Sequence, residues 1–125
     1  MDRMAVVKKL PKRLDLRFYA GDDFVQTINI EDSSQEDVDV SGRSYRAQVR
    51  REPRSTEVLE SFTITTDDAV NGNIELSLTH EQTTDLAVDS RHVRHLVWDL
   101  EQTDESGLKR TLFAGKLKIR DDVTR

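Results

Sequence analysis

Asn71-Gly72-Asn73-Ile74-Glu75-Leu76-Ser77-Leu78-Thr79-His80-Glu81-Gln82 carries three structural signals in one short run. Asn-Gly accepts positive φ at both positions and marks a turn. Ile74, Leu76 and Leu78 then alternate with Asn73, Glu75 and Ser77, and a period of two belongs to a strand with one buried face. Thr79 followed three residues later by Gln82 is a capping box, so the strand should hand over to one short helix across residues 80–86.

The same alternation recurs on either side. Towards the N-terminus, residues 58–65 form a strand with Phe62 and Ile64 facing inward. Leu59 falls out of phase with them, which predicts a bulge. Before that, Tyr45, Ala47 and Val49 oppose Arg46, Gln48 and Arg50, until Pro53 ends the strand by removing a ladder donor. Residues 31–42, dense in Asp, Glu and Ser, read as a connection. Phe24, Gln26, Ile28 and Ile30 share a face of an earlier strand. Leu14, Leu16 and Phe18 do so in the first, with Gly21-Asp22-Asp23 breaking the two apart. Towards the C-terminus, residues 93–103 carry Leu96, Trp98 and Leu100. Asp104-Glu105-Ser106-Gly107 closes a hairpin, and residues 109–120 carry Leu112, Phe113, Leu117 and Ile119. Seven strands punctuated by turns predict an all-β, seven-stranded immunoglobulin-like β-sandwich with one short helix near residues 80–86. The sandwich should occupy residues 14–125. Residues 1–13, where Lys8, Lys9, Lys12 and Arg13 gather around Pro11, read as a basic N-terminal arm.

Composition narrows the function classes. The 125 residues suit one domain. Nineteen Lys and Arg against 24 Asp and Glu give a net charge of −5, which argues against a general nucleic-acid binder. With no cysteine there are no disulfides, thiolate zinc sites or cysteine nucleophiles, and no antibody-type inter-sheet bridge. The run Met4-Ala5-Val6-Val7 is too short for a signal-peptide core or a membrane span, so a soluble chain without an export signal is expected.

Catalytic and metal-binding signatures are thin. His92 and His95 stand three apart, which on a strand points them to opposite faces, and His80 opens the helix with no ligand partner near it in sequence. Paired acids at Asp22-Asp23, Asp37 with Asp39, Asp67-Asp68 and Asp121-Asp122 lack the dense Asp-x-Asp-x-Asp-Gly spacing of a calcium loop and read as turn residues and strand-end charges, with calcium in the 31–42 loop a weaker alternative. There is no Gly-x-Ser-x-Gly elbow and no glycine-rich phosphate cradle. The expectation is therefore no catalytic, cofactor or metal site. Trp98, set between Leu96 and Leu100, reads as a core anchor. Arg43, Arg46, Arg50, Arg51 and Arg54 crowd one strand and its flanks, with Arg46 and Arg50 on a shared face. Only Tyr45 lies near for base stacking, and it points inward, so a solvated face or a protein contact is the reading. The residues expected to meet a partner are Lys8, Lys9, Lys12, Arg13, Arg46 and Arg50. The basic arm should dock on an acidic neighbour.

The order of the motifs resembles a known family. Leu16-Arg17-Phe18-Tyr19-Ala20-Gly21-Asp22-Asp23-Phe24, then Ile28-Asn29-Ile30-Glu31-Asp32, Asp39-Val40-Ser41-Gly42 and Tyr45-Arg46-Ala47-Gln48-Val49-Arg50 are similar to the opening of a phage tail domain. That domain is the small β-sandwich at the N-terminus of baseplate upper proteins and in long-tail-fibre components. Gly72-Asn73-Ile74-Glu75-Leu76-Ser77-Leu78-Thr79 resembles its central strand and helix cap. Val97-Trp98-Asp99-Leu100 and Thr111-Leu112-Phe113-Ala114-Gly115-Lys116-Leu117 resemble its last hairpin. The resemblance spans residues 14–125. It implies a structural virion protein of the tail tip, baseplate or fibre attachment, with other tail proteins as partners. It also implies a homo-oligomer in a cyclic ring, neither nucleic acid nor membrane bound, and no reaction. Baseplate upper proteins carry a further C-terminal region that holds receptor-binding proteins. This chain stops at Arg125, directly after the domain, so the expectation is that this role is either absent or supplied by the arm and the domain's own surfaces. A head decoration or head–tail joining protein, and a carbohydrate- or receptor-binding module, stay open as alternatives.

Overall fold

The computed structural model describes residues 11–31, 36, 38–87 and 93–120. Among these are nine strands: β1 (Lys12–Arg13), β2 (Leu16–Tyr19), β3 (Phe24–Asn29), β4 (Ser44–Arg50), β5 (Glu60–Ser61), β6 (Thr63–Thr65), β7 (Asn73–Leu78), β8 (Val93–Thr103) and β9 (Lys109–Arg120). A helix α1 (His80–Leu86) sits between β7 and β8. One sheet runs β1-β9-β8-β4-β5, with β2 continuing β1 along the edge of β9. The other runs β3-β7-β6. The two layers make an immunoglobulin-like sandwich. Nine strand segments appear where seven strands were expected: the fourth breaks in two, and a short strand, β1, forms at Lys12–Arg13 ahead of the first, in residues read as arm.

The fourth breaks at Phe62. β5 pairs with β4 in the larger sheet and β6 pairs with β7 in the smaller one, so the chain changes layer between them. Phe62, 5% exposed, is the corner residue, and its N–H still donates to the Ala47 carbonyl at 2.9 Å. The bulge expected at Leu59 lies just before this corner: Leu59 N–H donates to Val49 O at 2.8 Å while Glu60 is the residue in register with Val49, so two residues oppose one. A further register shift lies between Leu100 and Glu101, opposite β9. The Phe62 ring also joins the layers. It stacks edge-on to Trp98 with centroids 5.8 Å apart and meets Phe24 at 6.2 Å, while Phe24 meets Phe18 at 4.8 Å. Around this chain of rings pack Val49, Ile74, Leu76, Leu100, Leu117 and Ile119, each almost wholly removed from water.

The gap between β1 and β2 has a different cause. β1 and β2 both run parallel to β9 in one continuous register, Lys12 opposite Phe113 and Leu16 opposite Leu117. Leu14 N–H keeps its ladder bond to Ala114 O at 3.1 Å. Its carbonyl, which a regular parallel ladder would offer to the Lys116 N–H, turns inward and accepts from the Trp98 indole N–H at 2.7 Å. Asp15 fills the gap: its Oδ1 accepts from Lys116 N–H at 2.9 Å. Gly115 faces the turned carbonyl and leaves room for it.

Asp15 therefore makes a stretch of ladder depend on a carboxylate. The Arg13 side chain (Nε to Oδ1, 3.1 Å) and the Lys116 N–H together hold its carboxyl below the usual carboxylate range. A carboxyl lowered in the folded state stabilises above its unfolded pKa of about 3.9, and that gain is lost as pH falls through the folded value. The urea midpoint should accordingly drop below about pH 4. Asp15→Ala should lower the midpoint at neutral pH and flatten part of the acid limb. Superimposable pH profiles for the two chains would exclude this role.

The Asn71-Gly72 turn takes a form that the sequence did not specify. Residues 69–71 make a turn of 3-10 helix, and Gly72 closes it with φ of 81°. A Cβ there would lie 2.7 Å from both Ile30 O and Val38 O. The capping box of α1 forms as expected: Thr79 Oγ1 accepts from Gln82 N–H at 3.2 Å, and Gln82 Oε1 accepts from Thr79 N–H at 2.8 Å.

Candidate interaction surface

Alternation on β4, β8 and β9 sends Ala47, Val49, Leu96, Trp98, Leu100, Leu117 and Ile119 into the core, and puts their neighbours on the opposite, outward face. Register sets those neighbours in rows across the sheet. Arg17, Lys118 and His95 form one row. Lys116, Val97 and Arg50 form the next, then Arg13, Ala114, Asp99 and Gln48, then Glu101 and Arg46.

Four of the six residues picked out by sequence can be placed. Lys8 and Lys9 lie outside the described residues. Lys12 and Arg13, the end of the proposed arm, are the strand β1 at the sheet edge, so this part of it belongs to the folded domain. Arg13 Nε lies 3.1 Å from Asp15 Oδ1. Arg46 Nη2 lies 3.2 Å from Glu101 Oε1 across the β4–β8 pair. Arg50 Nη1 lies 3.8 Å from Asp99 Oδ2, and its other terminal nitrogen donates to Gln48 Oε1 at 2.7 Å. Burial raises the Asp99 carboxyl, partly offset by Arg50. Arg46 and Arg50 do share a face. Arg13 and Arg50 also approach the same hollow, whereas Lys12 does not line it. β4 is paired along its whole length with β8 on one side, but on the other with β5 only at Gln48 and Val49, so among the described residues its edge from Ser44 to Arg46 has no strand partner and Arg46 stands on it.

Two open hollows mark this face. The first, about 400 Å³, has Arg13, Arg50 and Lys116 around a floor of Val97 and Ala114, with Pro11 and Pro53 at its rim. The second, about 550 Å³, is bordered by Arg13, Arg17, Lys116, Lys118 and His95, with Asp15 as its single acid. Sequence reasoning missed Arg17, Lys116, Lys118 and His95. The alternation of Lys116, Lys118 and Arg120 was readable in β9, but that β2 lies parallel beside β9 was not.

Other polar positions serve the fold. His80 N–H donates to Asp23 Oδ1 at 2.6 Å and its Nδ1 sits 3.1 Å from the same oxygen, which together lower the Asp23 carboxyl. Tyr45 OH, raised by burial, donates to Gln102 Oε1 at 2.9 Å, and Arg43 reaches the same oxygen at 3.2 Å. His92 lies outside the described residues. Among the described residues no three His, Asp or Glu side chains converge as metal ligands would. No helix there is long and apolar enough to cross a membrane.

No protein-family model matches the chain, and no curated protein sequence matches it. Among solved structures, the extracellular domains of the voltage-gated sodium channel beta4 subunit, described as parallel homodimers in cell–cell adhesion, align over 94% of this chain and 98% of that one. Identity is 9% and the TM-score 0.41. The bradyzoite-specific antigen BSR4 of Toxoplasma gondii aligns over 94% of this chain at 13% identity and a TM-score of 0.37, and the chain spans 45% of that antigen. At these scores neither likeness bears on function.

Proposed function

We propose that this domain is a structural virion protein of a phage tail, at the tail tip, baseplate or fibre attachment, acting by protein–protein assembly rather than catalysis. The observation that carries the reading is the ordered motif series across residues 14–125, matched piece by piece to the resembling tail domain. The structure is compatible with it: the site-like features are open hollows on a broad charged sheet face, a form suited to meeting another protein surface. A sugar-binding reading would want aromatic rings on the outside. Phe18, Phe24, Phe62 and Trp98 are instead engaged with one another in the interior, and Tyr19 is the exposed aromatic among the described residues. In the tail reading, copies form a cyclic ring and the partners are other tail proteins.

Mass spectrometry of purified particles should find the chain in stoichiometric amounts, and electron cryo-microscopy should locate it at the tail. Its absence from particles would overturn the reading. Density on the head would replace it with the decoration or head–tail joining role.

A further inference from the structure

The charges of this chain are divided between the two layers of the sandwich. Residues 18–42 and 55–90 contain no Lys or Arg and 15 Asp or Glu. All 19 Lys and Arg, with the remaining 9 acids, lie in the other three segments, so a net −15 stands against a net +10 within a chain of −5. The first set of segments builds β3, β6, β7, the helix and the connections around them, with β5 at one sheet edge. The second builds β1, β2, β4, β8 and β9. The larger sheet therefore holds the cations, while the strands of the smaller one hold no cation and a single acid, Glu75, with further acids in the turns and helix beside them.

The local pairing sharpens this. Arg13, Arg46 and Arg50 each use an acid of their own sheet, Asp15, Glu101 and Asp99. Arg17, Lys116, Lys118 and Arg120 stand on the same outward face and form no ion pair among the described residues. On the opposite side of the molecule, Glu75 projects from the centre of the three-stranded sheet, on the middle strand β7, between Thr27 of β3 and Thr65 of β6. Asp67 and Asp68 flank that face at one end, and Asp22, Asp23 and Glu81 at the other, all exposed.

Like charge gathered on one face costs free energy in the isolated chain, and the cost is relieved when a surface of opposite sign covers it. The chain itself supplies that surface. We infer that a second copy docks head to tail, the cationic outer face of the β1/β2-β9-β8-β4 sheet against the anionic outer side of the β3-β7-β6 layer of the next molecule. β8 is 11 residues long. Four strand positions side by side then give a cationic face of about 36 by 19 Å, somewhat under the ~800 Å² per partner of a standard interface, and the three-stranded layer meets it only together with its flanking turns and helix. Because two different faces meet, the contact is heterologous and generates a ring or an open stack. The inference rests on the assembly reading above only for its setting. A chain found in virions but monomeric when pure would refute the contact and leave the virion role standing. A chain that self-associates but is absent from particles would do the reverse.

The test uses the full chain in sedimentation velocity across salt. The wild type should associate at about 50 mM NaCl and weaken at least tenfold by about 500 mM, as screening shortens the reach of surface charge. Lys116→Glu with Lys118→Glu on one face, or Asp67→Lys with Glu75→Lys on the other, should each give a monomer whose circular dichroism and melting curve remain those of a folded sandwich. The two variants mixed should associate again. A wild type that is monomeric at all salt concentrations, or association indifferent to both reversals, overturns the inference. So does a monomer whose cationic face retains heparin and loses it on the lysine reversal, since that face would then belong to a foreign polyanion.

Discussion

Gly115→Ala should destabilise the sandwich by about 3 kcal/mol or more, a large loss for one methyl group. The added Cβ would sit 2.2 Å from Leu14 O and 2.7 Å from its carbonyl carbon. Both are backbone atoms, so no rotamer change relieves the clash, and the kink between β1 and β2 must lift away from β9. Overpacking of this kind costs roughly 1–3 kcal/mol. Lifting the kink also takes the Leu14 carbonyl from the Trp98 indole, an N–H on a side chain only 2% exposed. An orphaned buried donor adds about 1–3 kcal/mol. Trp98→Phe breaks the same bond from the other side. The two changes together should therefore cost less than their separate costs added, by about 1 kcal/mol. Equilibrium urea unfolding of the four chains decides it. A cost below about 1 kcal/mol for Gly115→Ala, or strict additivity in the cycle, would refute the shared carbonyl.

This node also shows where the sequence stops being readable. Period-two alternation identifies strands and their inward faces, and it identified β3, β4, β7, β8 and β9 within a residue or two, because each is half-buried along its length. It placed Trp98 inside for the same reason. It could not show that pairing with β9 begins at Lys12 and is interrupted before Leu16, since Leu14, Leu16 and Phe18 keep perfect phase through the kink. What interrupts β1 and β2 is a hydrogen bond to a side chain 84 residues away. Nor could it show that the irregularity at Leu59 is followed by a change of sheet at Phe62, because either puts neighbouring apolar residues out of step.

The same limit governs the surface. Arg46 and Arg50 are two steps apart on one strand, so their shared face follows from local geometry. Arg13, Arg17, Lys116 and Lys118 come together because β1 and β2 lie parallel to β9, a pairing between the first and last strands that no local pattern encodes. The division of charge between segments was present in the sequence throughout. It acquires meaning only once the topology sorts β3, β6 and β7 into one layer and β4, β8 and β9 into the other.

The middle of the helix is fastened to the sandwich by one buried hydroxyl, so Thr83→Val should cost about 2 kcal/mol. Thr83 is 0% exposed. Its Oγ1 accepts from Gly21 N–H at 3.0 Å and donates to Asp22 O at 2.9 Å, with His80 O a second acceptor at 3.1 Å. Those bonds tie the middle of α1 to the turn between β2 and β3. The capping box and Asp23 hold the N-terminal end, and Arg94 Nη1 donates to Leu86 O at 2.6 Å at the C-terminal end. Valine matches threonine in volume and opens no cavity, so the loss is purely polar: Gly21 N–H and Asp22 C=O of the turn lose the partner that the buried hydroxyl supplied. Thr84 provides the control. It follows directly in sequence, is exposed, and donates only to His80 O at 2.8 Å, so Thr84→Val should stay within about 0.5 kcal/mol. Thr83→Ser keeps the hydroxyl and sheds a methyl group, and should fall between them at about 1 kcal/mol. Chemical denaturation ranks the three. If Thr83→Val proves as mild as Thr84→Val, water must reach the turn in its place, and the helix is held by its ends alone.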